Sequence, residues 1–184
     1  MLRPNFSRSL GRSTVLDAEP IRIDGAPLPP FLFAIYSRVQ GTRFVADAEP
    51  GEIDATLLDF LPGYRLLHRD ELTAAAAACR ALGIAGAAGS PEEDLAADAW
   101  FPFLTNHKDD YFCWAGGRIF EISDEAGLPG LVHKSPTRFY QTICAFYTEG
   151  VYYLDDDGFL EYDYAEEEYV GFANNPGVPY WISG

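Results

Sequence analysis

Cys113 could serve as a nucleophile if His107 or His133 stood beside it as a base, because a thiol attacks as the thiolate that a neighbouring imidazole can generate. It lies between Phe112 and Trp114, however, in a run whose side chains would alternate between the two faces of a sheet, so a packing role is the simpler reading. Lys108, Asp109 and Asp110 could together hold a metal or a substrate at a turn tip, but a carboxylate pair without ligand spacing is ordinarily solvated. The run Asp155-Asp156-Asp157-Gly158 has the composition of a calcium loop. Aligned to the EF-hand pattern, though, it puts Tyr153 at the first ligand position and Tyr164 at the twelfth, and neither supplies a carboxylate. No GxGxxG, GxxxxGKS or GxxxxGKT run occurs, so no phosphate cradle and no nucleotide cofactor are expected. No residue is assigned to catalysis or to a metal, and the chain is read as a non-enzyme.

Charge is the more telling property. The chain of 184 residues carries a net charge of -15, unevenly spread. Residues 1–38 have five arginines against three acids, residues 39–138 have eight bases against sixteen acids, and residues 139–184 have nine acids and no base. An anionic end of this kind repels phosphate backbones and anionic headgroups and steers a cationic protein toward itself. Direct nucleic-acid binding and membrane binding are therefore not expected. The acids could also serve solubility alone.

Apolar residues make up 48% of the chain and aromatics 15%, enough to bury the core of one domain. The first 27 residues, with Arg3, Arg8 and Arg12, lack the apolar core of a signal peptide, and no later run approaches the length of a membrane span, so neither export nor insertion is expected. Cys79, Cys113 and Cys144 are odd in number, widely spaced and without a CxxC pair. That pattern argues against a disulfide framework and a zinc site, and for a reducing cytoplasm.

The elements that must position these residues follow from pattern. Trp100 to Phe120 reads as two aromatic strands around a polar turn at Asn106 to Asp110, with Gly116-Gly117 turning the chain again into Arg118 to Ile122. Leu28-Pro29-Pro30 opens a helix with Phe31, Ile35 and Val39 on one side, stopping at Gly41. Residues 42–56 read as loop with a short strand at Arg43 to Val45; Thr56 to Phe60 and Tyr64 to Leu67 are extended segments around Pro62-Gly63.

Asp70 caps a helix whose buried side is Leu72, Ala76, Cys79 and Leu82, ending before Gly83, and an Ala/Gly-rich then acidic crossing covers 84–98. Asp124 to Pro129 is turn-like. Ser135-Pro136 opens a helix with Phe139, Ile143, Phe146 and Tyr147 inward, ending at Gly150. Val151 to Leu154 and Phe159 to Tyr162 form a second hairpin. Asp163 then caps a short helix with Ala165, Tyr169 and Phe172 on one side, and Trp181 pins the tail to the body.

The order of Leu28-Pro29-Pro30, Leu61-Pro62-Gly63-Tyr64-Arg65-Leu66-Leu67 with Asp70-Glu71-Leu72, Trp100-Phe101-Pro102-Phe103, Asp109-Asp110-Tyr111-Phe112 and Ser135 to Phe146 resembles the SUKH superfamily over about Leu28 to Trp181. The arm at 1–27 and the insertion at 84–98 lie outside that pattern. The resemblance implies a single α+β domain over 28–184 with a mixed, largely antiparallel sheet and packed helices. Many bacterial members are immunity proteins that bind and neutralise a toxin, often a nuclease; fungal relatives act in cell-wall regulation and signalling. The family transfers no catalytic residues.

The expected function is therefore an immunity protein that occludes a basic toxin. The expected contact residues are Asp155, Asp156, Asp157, Glu161, Asp163, Glu166, Glu167 and Glu168, with tyrosine anchors Tyr152, Tyr153, Tyr162 and Tyr164. A regulatory or scaffold module that uses the same fold on another host protein is the alternative. A small hydrolase built on Cys113 or on Asp109-Asp110 ranks last.

Overall fold

The computed structural model describes residues 21–23, 25–42, 59–87, 100–106, 110–123 and 129–182, with backbone alone for 83–87. His107, Lys108, Asp109, the strand expected at Arg43 to Val45, and most of the 1–27 arm and the 84–98 insertion lie outside these residues.

The aromatic run becomes the centre of a six-stranded sheet. Its strands are β3 (Asp59–Leu61), β4 (Tyr64–Leu66), β5 (Phe101–Thr105), β6 (Tyr111–Ala115), β7 (Arg118–Ile122) and β8 (Gly130–His133), side by side in chain order and antiparallel throughout. A parallel bridge joins Thr42 to Leu67 beside it. Gly116 and Gly117 have φ of +53° and +80°, the left-handed pair that a tight two-residue hairpin needs. Across the β5–β6 turn, the Asn106 amide donates to Asp110 Oδ2 at 2.7 Å while Asn106 Oδ1 accepts from the Asp110 N–H at 2.9 Å.

The core is aromatic and interlocked. Trp100 packs on Phe120, Phe101 on Trp114 and Phe103 on Phe139, with ring centroids 5.7, 5.6 and 5.5 Å apart in edge-to-face geometry. Before the sheet lie β1 (Arg22–Ile23) and β2 (Ala26–Pro27), a small hairpin on the arm side of the expected boundary. Ile23 is buried in the main core, so the packed body begins earlier than Leu28. Helix α1 (Pro30–Tyr36) buries Leu32 and Tyr36, while Phe31, Ile35 and Val39 flank them half-buried. The helix is one turn shorter than the spacing predicts.

Helix α2 (Leu72–Ala87) runs through Gly83, and its cap differs from expectation. His68, not Asp70, caps a 3-10 turn at Arg69–Glu71, its Nδ1 accepting from the Asp70 N–H while Glu71 accepts from the His68 N–H. Arg65 fixes Glu71 from the sheet, 2.7 Å from Nη1 to Oε2, and so ties β4 to the start of α2.

Leu72, Ala75, Ala76 and Cys79 of α2 are buried against the sheet. The Cys79 and Cys113 sulfurs are bonded there. The expectation of unpaired thiols is thus corrected for these two: α2 packs on β5 and β7, which bracket β6, and so brings Cys79 to Cys113, a proximity that spacing along the chain cannot display.

Helix α3 (Pro136–Glu149) begins where Ser135 Oγ accepts from the Arg138 N–H and ends at Gly150, φ +78°, as the residues demand. It buries Phe139, Ile143 and Phe146. The isolated ribbon β9 (Tyr152–Leu154) and β10 (Leu160–Tyr162) follows, then α4 (Tyr164–Asn174), which packs on α3, and a 3-10 turn at Pro179–Trp181 against β8. The architecture is one α+β domain around a largely antiparallel sheet.

Candidate protein-binding surface

The C-terminal segment is held by a buried polar chain. Asn175 Nδ2 donates to Thr142 Oγ1 (2.8 Å) and to the Gly171 carbonyl (3.0 Å), and Thr142 in turn donates to the Arg138 carbonyl. With its amide nitrogen so committed, Asn175 presents Oδ1 to His133 Nδ1 at 3.0 Å. His133 therefore carries its proton on Nδ1 when neutral. Burial pushes its pKa down to about 4, against the opposing effect of the Asn175 bond. Trp181 completes the anchorage by donating Nε1 to the Val132 carbonyl at 2.8 Å, which is the pinning role its position predicts.

On that anchored frame the acids divide into two groups. Asp155, Asp156 and Asp157 form the turn between β9 and β10. Asp155 Oδ1 accepts from the Phe159 N–H at 2.7 Å, while Asp156 and Asp157 are exposed. Asp163, Glu166, Glu167 and Glu168 lie at the ribbon's other end, four residue steps or about 13 Å along it. Asp163 caps α4, accepting from the Ala165 and Glu166 N–H groups. Glu166 is exposed and Glu168 half-buried. Between the two groups, Glu161 pairs across the ribbon with Tyr153, and both are exposed.

Glu167 behaves differently from the other acids. It turns inward, accepting from the Tyr152 hydroxyl at 2.8 Å, and burial raises its pKa. Tyr152 is no surface anchor: it is buried on Phe146 and Tyr147, with centroids 4.8 and 5.4 Å away, because ribbon alternation sends it beneath while Tyr153 goes out. Tyr162 and Tyr164 are exposed as expected.

A second carboxyl matches Glu167. Glu121 on β7 accepts from the Tyr64 hydroxyl at 2.6 Å, and burial, reinforced by the nearby Asp110 charge, raises its pKa. Tyr180 stands within the field of both: burial of its hydroxyl, then Glu121, Glu167 and Tyr162, hold its pKa well above the ordinary phenol value. Tyr64 and Glu121 are 57 residues apart, and no motif announces them.

Helix α4 turns the side shared by Ala165, Tyr169 and Phe172 outward. Val170 and Gly171 are its buried residues, whereas Tyr169 is 70% exposed, Phe172 45%, and Ala165 is exposed as well. Gly171 explains the choice: the Trp181 ring lies where a Cβ would stand, so the indole packs directly on the helix backbone. Among the described residues eleven large apolar side chains are exposed, and nine of them fall between Tyr153 and Ile182. Monomer surfaces scatter such residues singly, and this segment is therefore the candidate interaction surface.

The nucleophile reading finds a different arrangement. Cys113 is buried and joined to Cys79, and His133 is engaged by Asn175. Cys144 is exposed on α3. Among the described residues no group of three or more His, Cys, Asp and Glu is placed to hold a metal, and no helix is long and apolar enough to cross a membrane. Comparison with family models and with curated proteins finds no match to this chain.

Proposed function

We propose that this chain is a SUKH-like immunity protein that binds a basic protein toxin, such as a nuclease, and occludes its substrate-facing surface without bond-making chemistry of its own. The observation that carries the reading is the coincidence, within residues 153–182, of nine exposed large apolar side chains with the base-free acidic end of the sequence. Aromatic anchors supply desolvated contact area, and the acids between them meet the cations that a nucleic-acid enzyme must carry. The rigid support beneath, from His133 to Asn175 and from Trp181 to Val132, limits the ordering cost of association. We place its action in the cytoplasm of the producing cell on the composition of residues 1–27, since the Cys79–Cys113 bond withdraws the support of unpaired thiols.

The test is growth rescue. The product of the adjacent gene is expressed with wild-type protein or with the exposed acids reversed: Asp156→Lys, Asp157→Lys, Glu161→Lys and Glu166→Lys. Toxicity relieved by the wild type and restored by the reversals supports the proposal; relief by both, or a neighbour without toxicity, contradicts it.

A further inference from the structure

We infer that the outward stripe of α4, formed by Ala165, Tyr169 and Phe172, is the apolar docking ridge on which a basic partner protein seats. This rests on the function proposed above and adds where the apolar contacts of that complex are made.

Positions i, i+4 and i+7 share one side of a helix, so these three residues form a single strip. An amphipathic helix on a monomer turns such a strip toward its own core. Here the body occupies the opposite side, through Val170, the Gly171–Trp181 contact and the Glu167–Tyr152 bond, and the strip faces outward among the described residues. The Asp163 cap and the Asn175 bonds fix the helix at both ends, so it cannot roll to bury the two rings without breaking them.

Charge selects the occupant. Glu166 and Glu168 lie beside the strip, on a segment with nine acids and no base from 139 to 184. A second copy of the chain would set the same acids against these, and like charges across an interface are costly. A basic protein removes that cost, and an apolar centre rimmed by paired charges is the anatomy of a specific interface.

Hydroxyl-radical footprinting read by mass spectrometry tests the ridge, on the full-length free chain and on its complex with the product of the adjacent gene. Tyr169 and Phe172 should oxidise readily in the free chain and be protected severalfold in the complex. The Tyr169→Ser, Phe172→Ser double variant, and separately Ala165→Glu, should weaken the complex about tenfold or more at both low and high salt, with the helical content of the free chain unchanged.

Protection in the free monomer would mean that another part of the chain covers the strip, and protection that grows with concentration of the free protein would mean a second copy does. Either result overturns the ridge. Full affinity in the stripe variants beside a loss in the reversed-acid variant would overturn the ridge and leave the proposed function standing. Absence of any complex would remove both.

Discussion

His133 Nδ1 lies 3.0 Å from Asn175 Oδ1 inside the core, joining the last strand of the sheet to the end of α4. Folding holds this imidazole neutral with a pKa of about 4, while the unfolded chain takes up its proton near the ordinary histidine value. The unfolded state therefore binds more protons between about pH 6.5 and pH 4, and stability is lost as pH is lowered through that window. About 2.5 pK units correspond to roughly 3 kcal/mol in full. Long-range proton–nitrogen NMR should show a neutral ring protonated on Nδ1 with no titration above about pH 5; a midpoint near 6.5 would contradict the burial.

Glu121 and Glu167 act with the opposite sign. Their folded pKa values are raised, mainly by burial, so the stability they allow is complete below the ordinary carboxylate range and is lost as pH rises through the raised values. Glu121→Gln keeps an acceptor for the Tyr64 hydroxyl while removing the charge. It should raise the midpoint of urea unfolding at pH 8 and leave it nearly unchanged at pH 4; a loss of stability at both would show that the carboxylate is favourable as it stands.

Gly171 against Trp181 gives a steric prediction. Glycine to alanine inside a helix ordinarily stabilises by up to about 1 kcal/mol. Here the new methyl would occupy the indole's place, and overpacking should reverse the sign at roughly 1–3 kcal/mol. Thermal unfolding of Gly171→Ala, alone and with Trp181→Leu, checks this. The penalty should shrink in the double variant, and an additive pair would separate the two residues.

The sulfur bond between Cys79 and Cys113 spans 34 residues, a loop whose closure is worth about 3–4 kcal/mol in the chain-entropy account. Protein purified in air and unfolded without reductant should present one thiol, Cys144, to Ellman's reagent, and three after reduction. Three thiols without reductant would remove the bond.

The sheet and α3 could be read from local chemistry because each signal is complete within a few residues. Asn106 and Asp110 close one turn, Gly116-Gly117 another, and Ser135-Pro136 with Gly150 bracket α3. The side of α4 could not, because residue type alone favours burying Tyr169 and Phe172. The decision belongs to Gly171, which has no side chain to advertise a contact, and to Asn175, whose partner His133 is 42 residues away.

The same limit hid Cys113 facing Cys79 and Tyr64 reaching Glu121. For the surface itself, the sequence supplied the acids and the tyrosines, but not the inward turn of Tyr152 and Glu167 or the exposure of Tyr169, Phe172 and Tyr180.

The most direct measurement is the affinity of the full-length protein for the product of the adjacent gene as a function of salt, by calorimetric titration, for the wild type and for the Asp156→Lys, Asp157→Lys, Glu161→Lys, Glu166→Lys variant. The account predicts a one-to-one complex whose affinity falls steadily as salt rises, and whose binding is lost in the variant. Affinity indifferent to salt and equal in both proteins would contradict it.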